Sequence, residues 1–169
     1  MFFLKYNRFL LYSSLLLFAL FFACHTKPAT KSTIATPKPE PANVAPALET
    51  QILNLVNQHR QSKGLAPLQM NIVISAEARK HSLNMATKRV AFGHTGLSVR
   101  TKNITSKLKS VTSVAENVAN GSLTPQEVVR LWLSSDGHRK NMEGNYSLTG
   151  IGVARNQNSQ LYFTEIFAK

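Results

Sequence analysis

The chain carries one cysteine, Cys24, and it follows directly on an apolar run. Whatever folds beyond it can have no internal disulfide, so a hydrophobic core must supply the whole of its stability. A length of 169 residues and a hydrophobic fraction of 43% suffice for one such domain with short appendages. The apolar run, residues 9–23, is interrupted only by Ser13 and Ser14 and follows Lys5 and Arg8. A positive start, an apolar stretch and a small closing residue make residues 1–23 an export signal. A membrane-spanning anchor is the competing reading, but it usually needs about 18 or more apolar residues.

The stretch Phe21-Phe22-Ala23-Cys24 resembles the lipobox of bacterial lipoproteins at its last two positions, with Phe21 where Leu is more usual. That resemblance makes Cys24 the expected lipidation site and the membrane a partner through it. The composition then shifts: Pro28, Pro37, Pro39, Pro41 and Pro46, five of the seven prolines, lie among Thr, Ala and Lys. Proline-rich chain favours extended polyproline II at about 3.1 Å per residue, so residues 24–46 read as a tether reaching roughly 60–70 Å. The formal net charge is +12, of which Lys5 and Arg8 contribute two, leaving +10. Such a balance favours anionic lipid headgroups, glycans or envelope polymers. Nucleic acid is not expected, given the export signal and the lack of zinc-finger spacing or of a basic stripe interleaved with aromatics.

The ordered domain is expected over residues 47–169. Leu48, Ile52, Leu55, Val56 and His59 recur at helical spacing, with Gly64 as a stop. A second helix is expected over 72–89, capped by Asn71, with Ile74, Ala78, Ser82 and Met85 inward. Residues 91–110, with Gly93, Gly96 and scattered Thr, Ser and Lys, read as a long irregular loop. A strand over 111–118 and an Asn120-Gly121 turn follow. Thr124-Pro125-Gln126-Glu127 then places a capping hydroxyl, a first-turn proline and a reciprocal carboxylate, opening a helix over 125–135. Val128, Leu131, Trp132 and Ser135 form its inner face, Trp132 as core, and Gly137 is the expected terminator. Strands over 149–155 and 160–168 flank a polar turn at 156–159. Helices first and strands late favour an α+β layered domain over a parallel βαβ fold.

Of five histidines, His25 lies in the tether, while His59 and His81 fall within helices where structural roles suffice. His94, in Phe92-Gly93-His94-Thr95-Gly96, and His138, in Asp136-Gly137-His138-Arg139, each follow a glycine in an expected loop. Glu116, in Ala115-Glu116-Asn117-Val118, sets a carboxylate in an otherwise apolar run. Brought together, these three could ligate a divalent ion with one position left open, or do acid–base work. Spacing alone does not bring them together, and ordinary loop and buried-polar roles stay open for each. There is no G-x-S-x-G elbow and the cysteine lies outside the domain, so serine- and cysteine-hydrolase signatures are missing.

Four blocks resemble the CAP superfamily of SCP-like extracellular domains, and they occur in its order. They are Leu55-Val56-Asn57-Gln58-His59-Arg60 with Gly64-Leu65 and Pro67-Leu68; Phe92-Gly93-His94-Thr95; Ala115-Glu116-Asn117-Val118; and Trp132 through Ser135-Asp136-Gly137-His138-Arg139-Lys140-Asn141-Met142. Gly150-Ile151-Gly152-Val153 and Tyr162-Phe163-Thr164-Glu165-Ile166-Phe167 look like the last two strands of the family. The resemblance covers about residues 48–167. It implies a three-layer α-β-α sandwich with a central antiparallel sheet, and a cleft in which His94, Glu116 and His138 match family positions. Some members hold a divalent metal such as zinc there, with a second glutamate that has no clear equivalent in this chain. Asn117 and Asn141 are expected to hold the cleft loops by hydrogen bonds.

The family resemblance stops short of an activity. The chain is expected to be exported, as a cell-envelope lipoprotein or an extracellular protein. Its favoured role is a non-catalytic binding module whose cleft takes a lipid, glycan or peptide. A metal-dependent hydrolase or peptidase using the same cleft is the first alternative, and adhesion to anionic envelope polymers by surface charge is the second.

Overall fold

The computed structural model describes residues 44–169, which fall within one compact unit, 37–169. The expected export signal, Cys24 and nearly all of the tether lie outside the described residues. Helix α1 (Val44–Ser62) opens three residues before the expected Ala47, because Pro46 sits in its first turn, where a missing N–H costs no hydrogen bond. It ends in a Schellman motif: Leu65 N–H donates to Arg60 O and Gly64 N–H to Gln61 O, with Gly64 at φ 71°. Strand β1 (Gln69–Met70) is two residues long. Helix α2 (Ile72–Ala86) starts at Asn71, whose side chain accepts from Val73 N and Ile74 N. It stops three residues short of the expected Arg89, since Lys88 at φ 58° closes a second Schellman motif through Arg89 N to Asn84 O. A lysine in that role leaves no sequence signal.

Helix α3 (Leu97–Lys107) occupies most of what reads as a loop. It has no side-chain cap at Gly96 and is rich in Thr, Ser, Asn and Val, so intrinsic propensity does not account for it. Its buried residues, Arg100 and Ile104, do. Strand β2 (Val114–Gly121) runs through Asn120-Gly121, which pair with Tyr162 and Leu161 instead of turning. Helix α4 (Pro125–Ser134) has the expected capping box, Glu127 N donating to Thr124 Oγ1 and Glu127 Oε2 accepting from Thr124 N. Val128 and Trp132 are buried, but Leu131 faces out. Gly137 does not end helical structure: Ser135, extended at φ −105° and ψ 121°, makes a one-residue break, and α5 (Asp136–Met142) follows. Strands β3 (Leu148–Arg155) and β4 (Leu161–Ala168) close the chain as a hairpin, turned by Asn156, whose Oδ1 accepts from Asn158 N and Gln160 N.

The sheet order is β1-β3-β4-β2; β3, β4 and β2 are antiparallel, and β1 adds a short parallel pair to β3. One face packs on α1, α4 and α5 through Ile52, Val56, Trp132, Met142, Ile151, Phe163 and Phe167. The other packs on α2 and α3 through Ile74, Ala78, Ile104 and Ile166, continued by Met85, Val118 and Tyr162. The result is a mixed α and β three-layer sandwich, and the core clusters of the described residues all belong to the compact unit 37–169, which therefore has a hydrophobic core of its own to fold around.

Helix α2 touches the sheet backbone to backbone. A Cβ on Gly150 would stand 2.2 Å from Ser75 N, and one on Gly152 2.1 Å from Arg79 N. Both sheet edges are capped by side chains. On the β3 edge Glu49 accepts from Val153 N at 3.3 Å and from Arg79 Nε at 2.9 Å. On the β2 edge the Trp132 indole donates to Val118 O at 3.2 Å and Asn141 to Glu116 O at 3.3 Å. Capped edges do not recruit further strands. Within the α1 layer, Arg60 is buried and donates to the carbonyls of Ala66, Met142, Gly144 and Tyr146, which fixes the chain after α5 against α1. Glu165 is fully buried nearby, bonded to Thr149 Oγ1 at 3.2 Å, with Oε2 unpartnered. Burial pushes its carboxyl up to about 8 against the smaller opposing effects of Thr149 and Arg60.

Two outcomes are expected in urea melts of residues 37–169. Gly152→Ala should cost about 3 kcal/mol or more, because the clash is with backbone that cannot rotate away. A cost below about 1 kcal/mol would mean that α2 rides freely on β3. Glu165 binds its proton more tightly folded than unfolded. Its contribution is therefore whole below the ordinary carboxyl value of 4.5 and is lost as pH rises towards about 8. Glu165→Gln should accordingly gain stability over the parent between pH 5 and pH 8, by up to about 3 kcal/mol across that window. Parallel pH profiles would show that Glu165 is not the group responsible.

Candidate functional site

The sequence candidates converge on the β2 edge. Successive residues of a strand point to opposite faces, and Glu116 and Asn117 are successive residues of an edge strand. Glu116 turns to the α2–α3 face. Its Oε2 accepts from Arg100 Nε at 2.8 Å, and its Oε1 accepts from Arg100 Nη2 at 2.7 Å and from His94 Nδ1 at 3.0 Å. Arg100 also donates to Thr95 O at 2.9 Å. One buried carboxylate thus ties α3 and the 91–96 loop to the sheet. Asn117 turns the other way: its Nδ2 donates to His138 O at 3.0 Å, and its Oδ1 accepts from Asn141 at 2.9 Å. That pair ties α5 to the same strand, so the segments that carry His94 and His138 are held by adjacent residues of β2.

The imidazoles differ in exposure and partners. A carboxylate held by a guanidinium only accepts, so His94 donates through Nδ1 and keeps Nε2 for a ligand; its side chain is 48% exposed. His138 Nδ1 is buried without a hydrogen-bond partner. Burial holds the His138 imidazole below its ordinary pKa, and the neighbouring His94 lowers it further. His81, on α2, is buried; its Nε2 donates to Gly93 O at 2.8 Å and stands 3.8 Å from Glu116 Oε1. Burial lowers its pKa, opposed by the hydrogen bond to Gly93 and assisted by Arg100.

The structure therefore joins His94 to Glu116 directly and Asn117 to Asn141, while His138 is held through its backbone carbonyl by Asn117, and its side chain bonds to neither His94 nor Glu116. Arg100 and His81 were not singled out by their sequence context. A carboxylate in an apolar run does demand a cation, but nothing local picks Arg100 from the other basic residues. The arrangement does not fit the expected zinc set. Both Glu116 oxygens are occupied, and the guanidinium holds the place where a metal would take them. Among the described residues no group of three or more His, Cys, Asp or Glu side chains is arranged to hold a metal ion.

The architecture is an α-β-α domain with a polar side-chain cluster on its β2 edge strand. Residues 53–167 match the model of CAP, the cysteine-rich secretory protein family, and the chain belongs to it. It is 33% identical to the uncharacterized Bacillus subtilis protein YkwD over 84% of this chain and 55% of that protein. It is 31% identical to the uncharacterized B. subtilis membrane protein YlbC over 72% of this chain and 34% of that one, so it spans about half or less of either relative. An extracellular SCP-domain protein of Bacillus anthracis superposes with a TM-score of 0.64 at 23% identity, covering 75% of this chain and 41% of the other. A cysteine-rich secretory protein of Staphylococcus aureus gives 0.62 at 24%, over 76% and 40%. An outer surface protein of Borrelia burgdorferi gives 0.60 at 18%, over 71% and 90%. At these identities the solved structures establish the shared fold.

Removing one partner of a buried ion pair strands the other charge. Arg100→Ala should cost about 3–5 kcal/mol and speed hydrogen exchange in α3, whereas Arg100→Met/Glu116→Leu should recover most of that loss. A single substitution costing under about 1 kcal/mol would show that the pair does not hold the cleft.

Proposed function

We propose that this CAP domain is an extracytoplasmic binding module whose cleft takes an uncharged polar group, a hydroxyl or amide, of an envelope glycan or peptide. The observation that carries this reading is the occupation of Glu116. A hydrolase working through this cleft would need that carboxylate to polarise water or to bind a metal. Here both oxygens hold Arg100 and His94. What remains accessible to a ligand is His94, 48% exposed, whose Nε2 is left over by the Nδ1 bond to Glu116 and accepts from an O–H or N–H donor; the neighbouring His138, its pKa lowered chiefly by burial, adds no charge at neutral pH. Export is supported by the apolar N-terminal run and by the extracellular and outer-surface proteins that share the fold. One relative is named a membrane protein, and no described helix is long and apolar enough to cross a membrane. Lipidation of Cys24 would anchor the domain.

Titrating soluble peptidoglycan fragments into labelled residues 37–169 should shift the amide signals of His94, Asn117 and His138, and His94→Ala/His138→Ala should abolish those shifts. Zinc added after chelation should give no stoichiometric uptake. Stoichiometric zinc binding that disappears in the double variant would overturn this reading in favour of metal-dependent hydrolysis.

A further inference from the structure

The excess positive charge of the domain is confined to one segment. Residues 72–110 hold eight basic residues and one acidic residue, whereas residues 111–169 hold five of each and residues 47–71 two against one. The lone acid, Glu77, is buried beside Asn103. Arg100 is spent on Glu116 and Arg79 on Glu49. Six cations remain exposed on the outer layer: Lys80, Lys88, Arg89, Lys102, Lys107 and Lys109.

The same segment carries most of the misplaced apolar surface. Of six large hydrophobic residues exposed among the described residues, four lie here: Ile72 at 80%, Val99 at 60%, Phe92 at 52% and Leu83 at 47%. On α2, Ile72, Ala76, Lys80, Leu83 and Thr87 recur every three or four residues and are all exposed, opposite the inward Ile74, Ala78 and Met85. On α3, Val99, Lys102 and Ser106 repeat the pattern. Lysines between exposed apolar side chains, without acids, are what a helix lying in a lipid interface presents.

We propose that the outer face of α2, the 87–96 turn and α3 docks the domain on an anionic phospholipid surface. The cations draw it to the headgroups, and Ile72, Leu83, Phe92 and Val99 enter the boundary between headgroups and acyl chains. A dissolved polyanion could satisfy the lysines but would leave those four side chains in water, so the apolar members select the bilayer. Docking uses the layer that ends in the His94 loop, which brings the cleft close to the membrane surface.

Flotation of residues 37–169 with vesicles tests this independently of Cys24. The domain should partition into vesicles containing phosphatidylglycerol and not into pure phosphatidylcholine. Each lysine reversed should weaken partitioning roughly fivefold or more, so Lys80→Glu/Lys88→Glu/Lys102→Glu should lose about a hundredfold. An equal charge change on the other layer, Lys63→Glu/Arg130→Glu/Lys140→Glu, should lose no more than about tenfold. Leu83→Ser/Val99→Ser should weaken vesicle binding while leaving binding to long-chain polyphosphate unchanged. Equal losses from the two charge-reversal sets would overturn the assignment of the face. Vesicle binding unmoved by the serine substitutions would overturn the lipid and leave a soluble polyanion as the partner.

Discussion

At Gly150 and Gly152 helix α2 lies on strand β3 with backbone against backbone, closer than any side chain allows. That contact sets the thickness of one layer and the position of everything α2 carries. It brings Ile74 and Ala78 down on the sheet, where Ile104 of α3 can join them. It aims Ser82 at Gly152 O and Thr164 Oγ1, both at 2.8 Å, and it places His81 where it can hold the Gly93 carbonyl. Arg79, one turn before Leu83, reaches from the same helix to Glu49 of α1 and so clips the two helical layers together past the β3 edge. No disulfide braces the described residues, and two absent side chains provide a close fit in its stead.

The edge strand β2 supplies the second organising element. Alternation sends Glu116 to one face and Asn117 to the other, and each gathers side chains distant in sequence onto β2. The same strand has its outward carbonyls at Glu116 and Val118 covered by Asn141 and Trp132. That strand therefore has part of its free edge covered and carries the polar cluster, with Glu116, Asn117 and Asn141 taking part in both.

Charge divides the molecule along its layers. Acids are buried or paired: Glu49, Glu116 and Glu165 in the interior, Glu127 in its capping box, Asp136 with Arg139 and Glu143 with His59. Apart from the buried Arg100, the cations on the α2–α3 layer stay outside. A modest formal charge thus becomes a one-sided field, because folding hides one sign more completely than the other.

The amino-acid sequence by itself determined the elements whose signals are local. The capping box at Thr124, the Asn71 cap, the Gly64 stop and the polar turn between the last two strands depend on neighbours within a few residues, and each is found where its pattern predicts it. The ordered blocks around His94, Glu116 and His138 marked the family. The tertiary structure alone decided the rest. Helix α3 has weak propensity and no side-chain cap, and it stands on an ion pair between Arg100 and a strand residue 16 positions away and on the burial of Ile104. Gly137 reads as a stop but lies in the first turn of α5, because the break falls at Ser135. Whether Glu116 would offer its oxygens to a metal or spend them on a guanidinium is a matter of which cation the fold brings within 3 Å. Local hydrogen bonds are written in adjacent residues, whereas a buried charge finds its partner only when the layers close around it.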